Sequence, residues 1–298
     1  MQDNAFKKFH DKFIHLNIEE TIEFYSIFNG HPFLNFLNLD YDLSTCIQQN
    51  IIDKIDELKP YFNYDENLAF QEDLESILIR LAIGDRKSYT VYKKENISQV
   101  RGRALYKSLF EKNIIKKERS REKPLREFKG QLIKKSLRHY EIQDKIYFKD
   151  NFTRFWFTFI APFLKKALHV NKEELLQHII SNIEQYISLT FEELSNQLII
   201  NKYKKENIIT YGSYWQKNIE IDLLIEIKNG TIIAGESKWK NHRMCKNILS
   251  SLKRKCEKIE LEVSHFVLCS KSGFSKELKA MNNNTILLFE LKDFEELY

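Results

Sequence analysis

IEIDLLIEIKNGTIIAGESKWK, residues 219–240, is the stretch that decides the fold class. Its two runs, IEIDLLIEI and TIIAGESKW, are rich in Ile and Leu and are separated by Lys228-Asn229-Gly230. Asn-Gly between two such runs signals a β-hairpin, because both residues tolerate the left-handed backbone of a tight turn. Side chains alternate along a strand, so Glu220, Asp222, Leu224 and Glu226 are expected on one face. Ile221, Leu223 and Ile225 then point to the other and fit a core. On the second strand Glu236 and Lys238 share a face, and Trp239 points away. Register decides whether the carboxylates meet. A two-residue loop pairs Asp222 with Ser237, whereas a three-residue loop with Gly230 left-handed pairs Asp222 with Glu236. Both loops suit the sequence.

The second register has chemical meaning. Mg²⁺ binds hard oxygen ligands, usually one or two protein carboxylates with water and phosphate completing the shell. Two carboxylates on adjacent rigid strands meet that need, and a lysine two positions along can orient a water or neutralise developing charge. The plainer reading of charges two apart on a strand is a solvated face. Against it, Asp222 and Glu236 stand among Ile, Leu and Ala rather than among polar residues.

Working outward, helices are expected over about 171–184, 187–204 and 242–260, strands at SHFVLCS and TILLFE, and a short helix near 275–281. This is α/β order with a mixed sheet flanked by helices. The N-terminal half is mostly helical: FKKFHDKFIHL and NIEETIEFYSIF, the second capped by Asn17 with Glu20 and broken by Asn29-Gly30. Residues 69–83 form an amphipathic helix, SYTVYKKEN a short segment, and VRGRALYKSLFEKNII a further helix capped by Asn96 or Ser98. Two strand-like pieces follow, HYEIQ and KIYF. Helix, short helix, helix and hairpin is the order of a winged helix-turn-helix.

Net charge is +5, from 47 Lys and Arg against 42 Asp and Glu. This permits nucleic acid as a partner without requiring it. Residues 116–138, KKERSREKPLREFKGQLIKKSLR, hold ten basic residues and three acidic ones. They read either as a solvated loop or as a phosphate-contacting wing carrying Lys116, Lys117, Arg119, Arg121, Lys123, Arg126, Lys134, Lys135 and Arg138. DNFTRFWFTFIAPFLKK (150–166) places Phe152, Phe155, Trp156 and Phe159 at helical spacing, after a cap at Asp150 or Asn151. That spacing reads as an interdomain core more readily than as a base-stacking platform. The four cysteines have no metal spacing, and no stretch is long and apolar enough to span a membrane. A cytoplasmic protein is the expectation.

Three segments resemble a known family, the C-terminal portion of archaeal-type AAA-like ATPases. That portion, the DUF234 domain, belongs to the PD-(D/E)xK nuclease-like superfamily. IEFYSIFNGHPFL (22–34) is similar to its aromatic Phe-Gly-Gly-x-Pro segment, with Asn29 at the first Gly. FKDNFTRFWFTFIAP (148–162) resembles its Phe-Trp-Phe-x-Phe-Ile-x-Pro signature. YGSYW (211–215), EID (220–222) and GESKWK (235–240) resemble its remaining elements, with Tyr214 at one Trp position.

The resemblance implies three parts: a lid-like helical segment (1–64), a winged helix-turn-helix-like domain (65–166) and a nuclease-like α/β domain (167–298). It implies Asp222, Glu236 and Lys238 as active-site residues, binding Mg²⁺ or Mn²⁺. Phe191-Glu192 matches the family's helical Phe-Glu, so Glu192 is the accessory ligand, with Glu193 the competing choice. No Gly-rich loop ending in Gly-Lys-Ser/Thr stands in this sequence, so the ATPase core that precedes the family's Phe-Gly-Gly segment is expected to be missing. The expected function is DNA binding with metal-dependent endonuclease activity. The alternative is an inactive nucleic-acid-binding or assembly module that partners a separate P-loop ATPase. A third reading is partnership in which the helix at residues 5–26, expected to be exposed, docks on such an ATPase.

Overall fold

Two helices open the chain, each started by a side-chain cap. Asn4 Oδ1 accepts from the Lys7 N–H to start α1 (Ala5–Lys12). Asn17 and Glu20 exchange reciprocal hydrogen bonds, each side chain accepting the other's backbone N–H, to start α2 (Ile18–Phe28). Gly30, at φ +93°, then turns the chain away. The computed structural model describes residues 4–84, 86–126, 128–133, 135–138, 140–166 and 171–298.

After α3 (Leu43–Asn50) and the single turn α4 (Ile55–Leu58) come α5 (Leu68–Ile83), α6 (Ser88–Lys94) and α7 (Gln99–Glu111). Ser98, not Asn96, caps α7; Asn96 instead adopts φ +55°. The strand that follows is β1 (Ile115–Glu118), and it pairs antiparallel with β2 (Lys145–Phe148), Ile115 opposite Phe148. The expected HYEIQ–KIYF hairpin is therefore corrected: Tyr140–Gln143 form no strand, and His139 lies outside the described residues. Asn113, at φ +58°, reverses the chain after α7 so that Ile115 enters the core, while Lys116 and Lys117 are both exposed. Asp150 caps α8 (Asn151–Phe155) through the Thr153 N–H and hydroxyl. A π-helical turn at Trp156–Ile160 carries the helix into α9 (Ala161–Lys166).

Residues 171–204, expected as two helices, are dominated by one. α10 (Lys172–Lys202) runs unbroken for 31 residues, since no Gly or Pro interrupts it and Tyr186 and Ile187 are buried at the supposed gap. Next come β3 (Ile208–Thr210), β4 (Tyr214–Gln216), β5 (Ile219–Ile221), β6 (Leu223–Ile227) and β7 (Ile232–Lys238). IEIDLLIEI is thus two strands rather than one, divided at Asp222. β5 pairs with β4, putting Glu220 opposite Trp215, while β6 joins the main sheet. α11 (Lys246–Lys258), β8 (His265–Ser270), α12 (Lys276–Ala280) and β9 (Ile286–Glu290) complete the chain. The main sheet has five strands in the order β3-β6-β7-β8-β9, antiparallel from β3 to β7 and parallel from β7 to β9. The fold class is mixed α/β.

The chain divides into two compact units, residues up to Ser26 with Asn182–Tyr298, and Ile27–Ser181. In the first, Leu224, Ala234 and Leu268 pack against Leu249, Leu252 and Cys256 of α11 and Leu278 of α12. On the opposite sheet face α10 brings Phe191 against Trp239, with ring centroids 5.2 Å apart. The N-terminal helices are part of this unit. Asn4 Nδ2 donates to the Leu297 carbonyl, Phe6 stacks on Tyr298, and Phe6, Phe9, Phe13, Leu16, Ile22 and Phe24 are buried. The apolar face of residues 5–26 is therefore spent inside the unit, which corrects the expectation of an exposed helix. In the second unit Phe62 stacks on Trp156 at 4.2 Å, and Phe152, Phe155, Phe157 and Phe159 are buried. Among the described residues no helix is long and apolar enough to cross a membrane.

Gly30 gives a direct test of this packing. A Cβ there would lie 2.5 Å from Asp150 Cβ on a backbone at φ +93°. Gly30→Ala is expected to destabilise the protein by at least ~2 kcal/mol, read as a lower urea midpoint with an unchanged slope.

Candidate active site

The turn between β6 and β7 settles the register. Ile227 and Thr231 close a three-residue loop through Ile227 N–H to Thr231 O at 2.9 Å, and Gly230 is left-handed at φ +88°. Leu223 then stands opposite Gly235 and Leu224 opposite Ala234, so Asp222 falls level with Glu236. Asp222 occupies the bend between β5 and β6 and is held at both ends. Its Oδ2 accepts from the Ser237 N–H at 2.9 Å, and its carbonyl accepts from Asn196 Nδ2 of α10 at 2.9 Å.

Glu236 shares the α11 face of β7 with Ala234. Its Oε1 accepts from Lys238 Nζ at 2.6 Å and its Oε2 from Lys255 Nζ of α11 at 2.7 Å. Lys238 Nζ also lies 3.8 Å from Asp222 Oδ2. One ammonium therefore reaches both carboxylates, whose side chains are each 10 % exposed against 35 % for Lys238. Burial, and then the neighbouring charge of Glu236, push the Asp222 carboxyl up to about 6, with Lys238, the Ser237 N–H and Lys255 pulling the other way. Lys238 itself moves up: burial disfavours its ammonium, but Asp222 and Glu236 outweigh that.

Helix α10 supplies the rest of the surroundings. Phe191 is fully buried, which rotates the half-buried Glu192 toward the charge cluster, where it helps hold the Lys238 proton. Glu193 is exposed and acts on Tyr25 instead. One turn beyond Glu192, Asn196 spends both amide hydrogens on the Glu192 and Asp222 carbonyls, and its buried Oδ1 has no protein partner. Among the described residues no group of three or more His, Cys, Asp or Glu side chains converges in an arrangement that would hold a metal ion. Asp222 and Glu236 are nonetheless a two-carboxylate donor set of the type Mg²⁺ or Mn²⁺ uses. The unpaired Asn196 acceptor beside Asp222 suits a water in such an ion's shell.

Asn196 and Lys255 were missed from the sequence. Asn196 had a signal, because it stands four residues after Glu192 and so shares its helix face. Lys255 had none, being one of several basic residues along α11.

The basic residues belong to the other unit. Lys116 and Lys117 are exposed on β1, Lys117 pairing with Asp144 at 3.4 Å. Arg119, Lys123, Arg126, Lys135 and Arg138 are exposed in the segment between β1 and β2, and Arg121 is half-buried. Lys134 lies outside the described residues. The aromatics of α8 and the following turn are buried and so present no stacking platform.

A family model described as archaeal and bacterial proteins of unknown function, DUF234, matches residues 156–259. The matched segment includes Glu192, Asp222, Glu236, Lys238 and Lys255. The chain is also 25 % identical over 293 residues to an uncharacterized protein of Methanocaldococcus jannaschii. That alignment covers 93 % of this chain and 60 % of the archaeal protein, so the chain spans about three fifths of its relative's length. No solved structure matches.

The cluster makes a signed prediction. Glu236→Gln removes the like charge and is expected to lower the Asp222 pKa, whereas Lys238→Met removes a cation and raises it; carboxyl ¹³C NMR titration reads both. In the parent, Asp222 holds its proton to a higher pH when folded than when unfolded. This group's contribution to stability therefore falls as pH rises from about 4 through about 6.

Proposed function

We propose that this chain is a DNA-binding protein with metal-dependent phosphodiesterase activity, centred on Asp222, Glu236 and Lys238. The observation that carries the reading is the reach of one ammonium, Lys238, to two buried carboxylates, Asp222 at the β5–β6 bend and Glu236 on β7. The five-stranded mixed sheet with helices on both faces supports a nuclease-like fold for the C-terminal part. The order α5, α6, α7, then the β1–β2 pair supports a winged helix-turn-helix in the middle.

In this reading Asp222 and Glu236 hold Mg²⁺ or Mn²⁺, and Glu192 contributes from α10. The cation, when bound, lowers the pKa of a water and offsets charge on the scissile phosphate. Asn196 keeps Asp222 in place through its backbone, and the Ser237 N–H orients its carboxylate. Lys238, kept protonated by its neighbours, neutralises charge developing on the phosphate. Exposed Lys116, Lys117 and Arg119, with the basic residues after them, contact duplex backbone.

A second reading has its own observation. Both oxygens of Glu236 are taken by lysines, which makes a self-neutralised cluster and fits a catalytically inactive nucleic-acid-binding or assembly module. A P-loop ATPase on a separate chain is the partner class for that module.

Incubation with plasmid, linear duplex, single-stranded DNA and RNA, each with Mg²⁺ or Mn²⁺, separates the two. Cleavage of DNA by the parent is expected, with a loss of at least ~100-fold in Asp222→Ala and Lys238→Ala. A Lys238→Ala variant that cleaves at the parental rate would sink the catalytic assignment. Independently, replacing Lys116, Lys117 and Arg119 by Ala should weaken DNA binding and flatten its salt dependence by roughly 0.9 in log–log slope for each phosphate no longer neutralised. An unchanged slope removes β1 from the interface.

A further inference from the structure

Glu236 is the carboxylate with no free oxygen. Lys238 takes one and Lys255 the other, at 2.6 and 2.7 Å. The two lysines are not equivalent. Lys238 stands two residues along the same strand and bridges to Asp222. Lys255 arrives from α11 and meets Glu236 at the oxygen Lys238 leaves. Helix rotation puts it there: Leu249, Leu252 and Cys256 are buried against the sheet, which sends the intervening Lys255 to the edge of the cluster. Its neighbours go elsewhere. Lys253 lies over the Phe266 ring and Arg254 donates to the Ser250 carbonyl. The Lys255 side chain is 27 % exposed, so it is partly open to solvent.

A divalent cation on Glu236 competes directly with that ammonium. Both require the same carboxylate oxygens, and a cation bound beside an ammonium is repelled by it. We propose that Lys255 is a charge gate on Glu236: its ammonium closes the carboxylate in this structure and must withdraw toward solvent before a divalent cation binds. This rests on the metal-site reading above and adds a residue that sets the site's cation affinity from outside the strand pair.

Calorimetric titration of the full chain with MnCl₂ at constant ionic strength tests the gate, comparing the parent with Lys255→Met, Lys255→Gln and Lys255→Arg. The Met and Gln variants are expected to bind Mn²⁺ roughly tenfold more tightly than the parent. Lys255→Arg, which keeps the charge, should match the parent. A lysine with a merely structural role would give weaker binding when removed, the opposite sign. Detectable binding of equal or lower affinity in both Met and Gln variants overturns the gate and leaves the metal site standing, as does tightening in Lys255→Arg equal to theirs. Absence of binding in every protein overturns both gate and metal site. Tighter binding in the Met and Gln variants without DNA cleavage by any of the proteins upholds the gate and removes the phosphodiesterase reading.

Discussion

The register of the β6–β7 pair is the constraint on which the rest of the candidate site depends. Because side chains alternate, a slip of one residue would move Glu236 and Lys238 to the α10 face, beside Phe191 and Trp239. That face is lined by the Phe191–Trp239 aromatic contact, away from Lys255. The three-residue turn, with Gly230 left-handed, prevents the slip. Parallel pairing of β7 with β8, Glu236 level with Leu268, then locks β7 from its other side.

A buried pair of carboxylates is unstable unless something offsets its charge. Here Lys238 and Lys255 provide two cations for Asp222 and Glu236, and the Ser237 N–H provides a dipole. The balance explains how acids so little exposed are tolerated, and it gives the cluster two identities. As it stands it is self-neutralised. In the proposed reading, withdrawal of one ammonium leaves the two carboxylates with a net negative charge, the condition for holding a divalent cation. The Oδ1 of Asn196, a buried acceptor without a protein donor, lies beside the same cluster.

Residues 27–181 are organised on different physics. Aromatic stacking of Phe62 on Trp156, and of Phe148 on Phe157, joins α8 and its π-helical continuation to the strand pair and the preceding loop. The basic residues ride outside that core on β1 and the segment after it.

Much of the site was legible from spacing. Asp222, Glu236 and Lys238 stood out because period two and the Asn-Gly turn put acids and a lysine together among Ile, Leu and Ala, and both caps at Asn17 and Asp150 follow from local hydrogen-bonding chemistry. Local rules determine turns, caps and alternation because they act over a few residues. Tertiary structure decided the rest. It chose the three-residue turn over the two-residue one and broke IEIDLLIEI at Asp222, where hydrogen bonds from Ser237 and Asn196 outcompete a regular ladder. It brought Lys255 to Glu236 across 19 residues and Asn4 to Leu297 across 293. Pairings at such separation are selected by which apolar faces bury one another, and no repeat or short motif in the chain encodes that choice.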